Sequence, residues 1–135
     1  MRPIILFAAL SLIASPLAAQ TATPPAPSAD TPVAVLVSIP IPAGVPRTAI
    51  ADGMAKAVPQ YRAVPGLVRK LFTIGDDGGF GGMYLFRTRA AAQAWFNDAW
   101  FARVAKTYGS TGKVSYYDVS VALDNAPLPE SVAAK

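Results

Sequence analysis

Leu67-Val-Arg-Lys-Leu-Phe-Thr-Ile74, Gly75-Asp-Asp-Gly-Gly79 and Phe80-Gly-Gly-Met-Tyr-Leu-Phe-Arg87 run on without interruption. The two outer segments are apolar and aromatic, and the middle is Gly and Asp alone. That pattern predicts two antiparallel strands joined by a five-residue hairpin loop. Apolar residues stand at both parities: Leu67 and Leu71 against Val68 and Phe72, then Met83 and Leu85 against Tyr84 and Phe86. A sheet with one wet face alternates cleanly. This one should therefore be covered on both faces.

Working outward, Val33 to Ile39 is apolar almost throughout and reads as a strand buried on both faces. Pro40, Pro42, Gly44 and Pro46 make a turn-rich link, with Pro46 suited to a first helical position. Ile50, Met54, Ala57, Val58 and Tyr61 then recur at helical spacing. Pro59 and Pro65-Gly66 should end that helix. Downstream, Thr88 is a candidate N-cap for a single helix from Arg89 to Tyr108, with Ala92, Trp95, Phe96, Ala99 and Val104 on its buried stripe. Gly109 to Gly112 stops it, and Val114 to Leu123 is the last strand.

The order βαββαβ specifies an α+β, ferredoxin-like fold, with two helices on one face of a four-stranded antiparallel sheet. Right-handed crossovers order the strands 4-1-3-2. Two helices cover one face only. The other holds either Leu67, Leu71, Met83 and Leu85 or Val68, Phe72, Tyr84 and Phe86. Either set is too apolar for water, so a homodimer packed through its sheet faces is expected.

The 135 residues allow one domain. Residues 1–19 read as a signal peptide: Met1-Arg2-Pro3 is cationic, Ile4 to Ile13 is mainly apolar, and Ala19 precedes the expected cut. The apolar run is shorter than the roughly twenty residues a bilayer core needs. The mature chain is therefore expected to be periplasmic or secreted, with no stable membrane anchor. Residues 20–32 are a Pro/Ala/Thr-rich linker, 33–126 the folded domain, and 127–135 a flexible tail.

The chain has no Cys and no His. This excludes disulfides, thiolate metal sites, a cysteine nucleophile and the commonest general base and zinc ligand. No metal site is expected. Twelve Lys and Arg against eight Asp and Glu give a net charge of +4 with no basic run, so nucleic acid is not an expected partner. Gly78-Gly79 and Gly81-Gly82 lead into a strand and lack the Lys-Ser/Thr of a phosphate loop.

Pro65-Gly66-Leu67 opening a strand with a central Lys70, Gly81-Gly82-Met-Tyr84-Leu-Phe86 in the next strand, and the Ala-rich helix holding Trp95-Phe96 form a combination. It resembles the mono-oxygenase family of the dimeric α/β-barrel superfamily, related to the antibiotic-biosynthesis monooxygenases. The resemblance runs from Val33 to about Leu123. It implies a ferredoxin-like protomer, a sheet-to-sheet dimer, a pocket between sheet and helices, and oxygenation without a cofactor. The signal peptide and linker depart from the usual cytosolic members.

Cofactor-free oxygenation asks for a dry pocket, a proton acceptor and polar groups that hold a developing anion. Without His, the acceptor is a carboxylate, Lys or Tyr. Lys70 is the first candidate, as a desolvated base or an anion holder; the plainer reading is a snorkelling edge-strand lysine. Asp118 could be a base of raised pKa, or could pair with Arg69, Arg87 or Lys70. Tyr84 completes the candidate catalytic set. Tyr61, Phe72, Trp95, Trp100 and Tyr116 are candidates for walls against a small apolar or aromatic ligand, each with plain core packing as the alternative. Two functions follow: a cofactor-independent monooxygenase-like protein acting on a small aromatic or phenolic molecule, or a non-catalytic exported small-molecule-binding or stress-related dimer.

Overall fold

The computed structural model describes residues 28–126 and Leu128. The expected signal peptide, most of the expected linker and all of the tail except Leu128 lie outside the described residues. Seven elements follow one another: β1 (Val33–Pro40), α1 (Arg47–Arg62), β2 (Leu67–Ile74), β3 (Gly79–Phe86), α2 (Arg89–Trp95), α3 (Asp98–Tyr108) and β4 (Lys113–Asp118). The strands form one antiparallel sheet in the order β2-β3-β1-β4. This is the expected ferredoxin-like α+β topology, with the second helix divided in two.

The sheet register explains the core. Val33, Val35, Val37 and Ile39 of β1 share a face with Phe80, Tyr84 and Phe86 of β3, and all are buried against Ala92 of α2, Phe96 just after it, and Trp100 and Val104 of α3. Strand β1 is thus sealed on one face and not on both. Leu36, on its other face, stands 37% exposed. The β2–β3 hairpin closes as its composition demands. The Gly75 N–H donates to the Gly79 carbonyl at 2.7 Å, and the Gly79 N–H donates to Asp77 Oδ1 at 3.0 Å. Gly66 has a φ of +75°, and a Cβ there would lie 2.7 Å from the Ala91 methyl, so only glycine fits this turn against α2.

Four expectations change. Pro59 lies inside α1 without ending it; the carbonyl it deprives of a partner belongs to Ala55, which is exposed to water. The expected Arg89–Tyr108 helix breaks at Phe96 and Asn97. There the Asn97 side chain caps α3 by accepting from the Trp100 N–H at 3.0 Å and donates to the Ala94 carbonyl at 2.8 Å. The break turns Ala99 out to solvent. Strand β4 ends at Asp118, which pairs with Val33, the first residue of β1; beyond it there is no strand to pair with. Finally, residues 28–32 lie on the domain. The Arg89 and Ala90 N–H groups donate to the Thr31 and Ala29 carbonyls at 2.9 and 3.0 Å, satisfying two first-turn donors of α2.

A register irregularity between Leu67 and Arg69 settles which face is which. Leu67 pairs with Phe86 on the helix side, whereas Arg69 pairs with Leu85 on the other. Neither expected set of uncovered residues therefore stays whole. Leu71, Met83 and Leu85 remain on the open face, and Leu67 joins the core.

Candidate functional site

Lys70, Phe72 and Ile74 are the helix-facing residues of the edge strand β2, opposite Tyr84, Gly82 and Phe80. Above them α1 presents Ile50, Gly53, Met54, Ala57, Gln60 and Tyr61, and α3 presents Trp100, Arg103, Val104, Thr107 and Tyr108. The space between these two helices and the sheet is a cavity of about 380 Å³. That falls within the usual range for small-molecule sites, about 300–1,000 Å³. Gly82 keeps its floor clear: a Cβ there would lie 2.7 Å from the Leu71 carbonyl oxygen and 3.1 Å from Lys70 Cε.

Lys70 ends inside an aromatic enclosure. Its Nζ lies 3.1 Å from the Tyr61 ring centroid, 3.9 Å from that of Phe72 and 4.6 Å from that of Tyr84. No carboxylate lines the cavity or the shallower groove outside it among the described residues. Burial without a counter-charge pushes the amine down to about 6 from its ordinary 10.5. The ring faces attract the ammonium form and offset part of that desolvation. The result is an amine poised to give or take a proton near neutral pH.

Two phenols adjoin it. Tyr61 packs edge-on against Phe72, Tyr84 and Trp95, and the Tyr84 hydroxyl is hydrogen-bonded to Tyr61. Burial raises both phenols above their usual value, so both keep their protons. Arg103 stands exposed at the rim, near enough to Tyr61 to pull against that rise. The site therefore combines apolar walls, one titratable amine, two protonated phenols and a rim cation.

The structure brings together Lys70, Tyr84, Tyr61, Phe72 and Trp100. It sets three other candidates apart. Asp118, at the end of β4, is held by Arg89 at 2.7 Å, remote from the β2 edge that carries Lys70. Tyr116 packs on Phe96 and lies beneath the Arg89 guanidinium, on the far side of the core. Trp95 touches Tyr61 from behind and does not line the cavity; its indole N–H is buried without a partner. Sequence reasoning passed over Arg103, Gln60 and Gly53. Arg103 follows Trp100 by three residues on a helix, a spacing that places both on one face.

Among the described residues, no group of three or more Asp or Glu side chains could hold a metal ion, and no helix is long and apolar enough to cross a membrane. No protein-family model matches the chain. No curated protein matches it either. Among solved structures, the chain is similar to NE2512, a protein of unknown function from Nitrosomonas europaea. The identity is 24%, over 74% of this chain and 100% of that one, with a TM-score of 0.58. It is also similar to a monooxygenase from the gene ActVA-Orf6 of Streptomyces coelicolor, crystallised with nanaomycin D. Here the identity is 18%, over 71% of this chain and 93% of that one, with a TM-score of 0.50. At these identities the likeness is one of fold.

Proposed function

We propose that the protein is an exported, cofactor-independent monooxygenase that oxidises a small aromatic or phenolic molecule in the cavity between sheet and helices, and that it works as a sheet-to-sheet homodimer. The observation that carries the reading is the Lys70 amine, enclosed by Tyr61, Phe72 and Tyr84 with no carboxylate beside it. The shared fold of a monooxygenase determined in complex with the ligand nanaomycin D supports it.

The chemistry follows from the groups present. A neutral Lys70 takes a proton from an acidic phenol or from a methylene activated by aromatic rings. The resulting anion is electron-rich, and Arg103 at the rim is placed to attract its charge. Oxygen accepts electrons from the anion and a carbon–oxygen bond forms. The O–O bond then breaks as the second hydrogen leaves the carbon, giving a carbonyl and water. For a ring methylene the balance is R–CH2–R′ + O2 → R–CO–R′ + H2O, so no outside reductant is needed. The apolar walls keep water from the intermediate anion.

The test is oxygen uptake with hydroquinones and anthrone-type phenols, without added cofactor. Lys70→Met should lower the rate by about 10²–10⁴-fold, the usual contribution of a positioned base. The wild-type rate should rise with pH through about 6, as the base loses its proton. Tight binding of these phenols with uptake no faster than in buffer would leave the non-catalytic binding protein as the correct reading.

A further inference from the structure

Lys70 has a second capability that proton transfer does not use. The side chain forms part of the partition between two spaces. With Tyr61 and Phe72 it lines the inner cavity and also the outer groove that Val58, Arg62, Leu67, Val68 and Arg69 complete. The amine is therefore reachable from outside, yet it ends among ring faces on the inside. No carboxylate of either space competes for it among the described residues.

We propose that Lys70 is a carbonyl-capture site, whose amine condenses with a small aromatic aldehyde or ketone seated in the cavity to form a Schiff base. The nitrogen lone pair attacks the carbonyl carbon, and one N–H proton moves to the oxygen. The carbinolamine then loses its hydroxyl as water, taking the second N–H proton, and the C=N bond forms. No electrons change hands, and one water leaves per imine. The phenols of Tyr61 and Tyr84, both kept protonated by burial, are suited to donate a hydrogen bond to the carbinolamine oxygen. Desolvation of a lysine in an apolar pocket is a recognised way to make its amine nucleophilic at neutral pH. The groups facing Lys70 are Tyr61 from α1 and Tyr84 from β3. Arg103 and Tyr108 of α3 share the inner cavity, and Arg62 and Arg69 share the outer groove. Burial alone accounts for the lowered proton affinity of Lys70.

The experiment is reductive trapping of the full chain with 4-hydroxybenzaldehyde and sodium cyanoborohydride under nitrogen, followed by peptide mapping. At neutral pH the label on Lys70 should exceed that on the exposed Lys56, Lys106 or Lys113 by on the order of tenfold or more, because only the enclosed amine is desolvated among ring faces. Labelling of Lys70 should rise through about pH 6 and level off. Lys70→Met should remove the preferred adduct. The wild-type map stands alone should that variant fail to fold. Label spread evenly over the surface lysines, or absent from Lys70, overturns the proposal. Because oxygen is excluded, the two readings separate. Trapping without oxygen uptake upholds capture and ends the oxygenase reading. Lys70-dependent oxygen uptake without trapping leaves the amine a base alone.

Discussion

Both faces of the sheet carry aliphatic side chains and treat them in opposite ways. On the helix side, Val33, Val35, Val37, Phe80 and Phe86 are sealed beneath α2 and α3, with Lys70 at the β2 edge and Asp118, paired with Arg89, at the β4 edge. On the other side, Leu71 over Met83 over Leu36 makes an apolar row in register across three strands, with no helix above it. These three and Tyr117 stand 38%, 52%, 37% and 54% exposed. The covered face has its cavity where the helices diverge. The open face carries this apolar row between Arg69 on the β2 edge and Lys113 on the β4 edge. In the function proposed above, the first face holds the small molecule and the second meets the other copy of the chain.

The largest effect should come from deleting the aromatic hub of the covered face. The Phe96 ring meets those of Tyr84, Phe86, Trp100 and Tyr116 edge-on, at 5.0 to 6.4 Å between centroids. Phe96→Ala should cost about 3–5 kcal/mol by denaturant unfolding. Trp95→Ala should cost less, since that indole is only partly buried. Met83→Ala on the open face should cost under about 1 kcal/mol in a dilute monomer. A Met83 effect matching that of Phe96 would mean the open face is as buried in solution as the covered one.

The second test addresses that directly. A sheet-to-sheet homodimer would bury about 1,200–2,000 Å² in total, enough for a stable complex. Leu71→Glu puts a charge in the middle of the apolar row and should weaken dimerisation by on the order of a hundredfold or more, read by light scattering. Phe72→Glu, one residue along, should damage the cavity instead. Wild-type chain that stays monomeric at tens of micromolar would remove the dimer from the reading.

How far these faces could be told apart beforehand depended on local chemistry. The β2–β3 hairpin was legible because Gly75 to Gly79 has the composition that a tight reversal requires. Thr88 was legible as a cap, and its side chain does accept from the Ala91 N–H at 3.1 Å. Lys70, Tyr61, Phe72 and Tyr84 could be picked out as separate candidates by residue type, but parity alone could not say which of them shared a face, and their enclosure of the amine is visible only in the structure. The irregularity that turns Leu67 inward carries no glycine and has no signature at Val68. Asn97-Asp98 is a helix-start signal, yet the apolar stripe running through Trp95 and Phe96 into Trp100 hid it. Asp118 stood inside the expected Val114–Leu123 strand by pattern, but its partner Arg89 lies 29 residues away in the chain, beyond any local rule.

The third test sharpens the contrast inside the covered face. Unfolded, Lys70 takes up its proton below about 10.5; folded, only below about 6. Between those values the unfolded chain binds more protons, so this group makes stability rise with pH over that window. The upper bound on the slope is about 1.4 kcal/mol per pH unit for one proton, and partial solvent contact reduces it. Lys70→Met removes the contribution. Urea midpoints of the wild type should therefore climb relative to those of the variant between about pH 6 and 9. Parallel curves would show that the amine keeps its proton in the fold.

The smallest effect belongs to the rim of the open face. Arg69 of the β2 edge reaches Asp124 at 3.1 Å, with side chains 47% and 71% exposed. Asp124 follows β4, the strand at the opposite edge of the sheet, so residues 119–124 carry the chain from one edge to the other. Val121 and Leu123 remain exposed along this path. In a monomer such an ion pair contributes between zero and about 1 kcal/mol and weakens with salt. Asp124→Asn should then shift the unfolding midpoint hardly at all. If the open face closes against a second copy, the same pair becomes desolvated. Its removal then leaves Arg69 as a buried unpaired cation, and the loss appears as a weaker dimer and not as a less stable protomer. Measuring the substitution twice, by unfolding at high dilution and by light scattering at tens of micromolar, separates the two cases. A loss seen at both concentrations alike would place the pair in the protomer's own stability and leave it no part in covering the face.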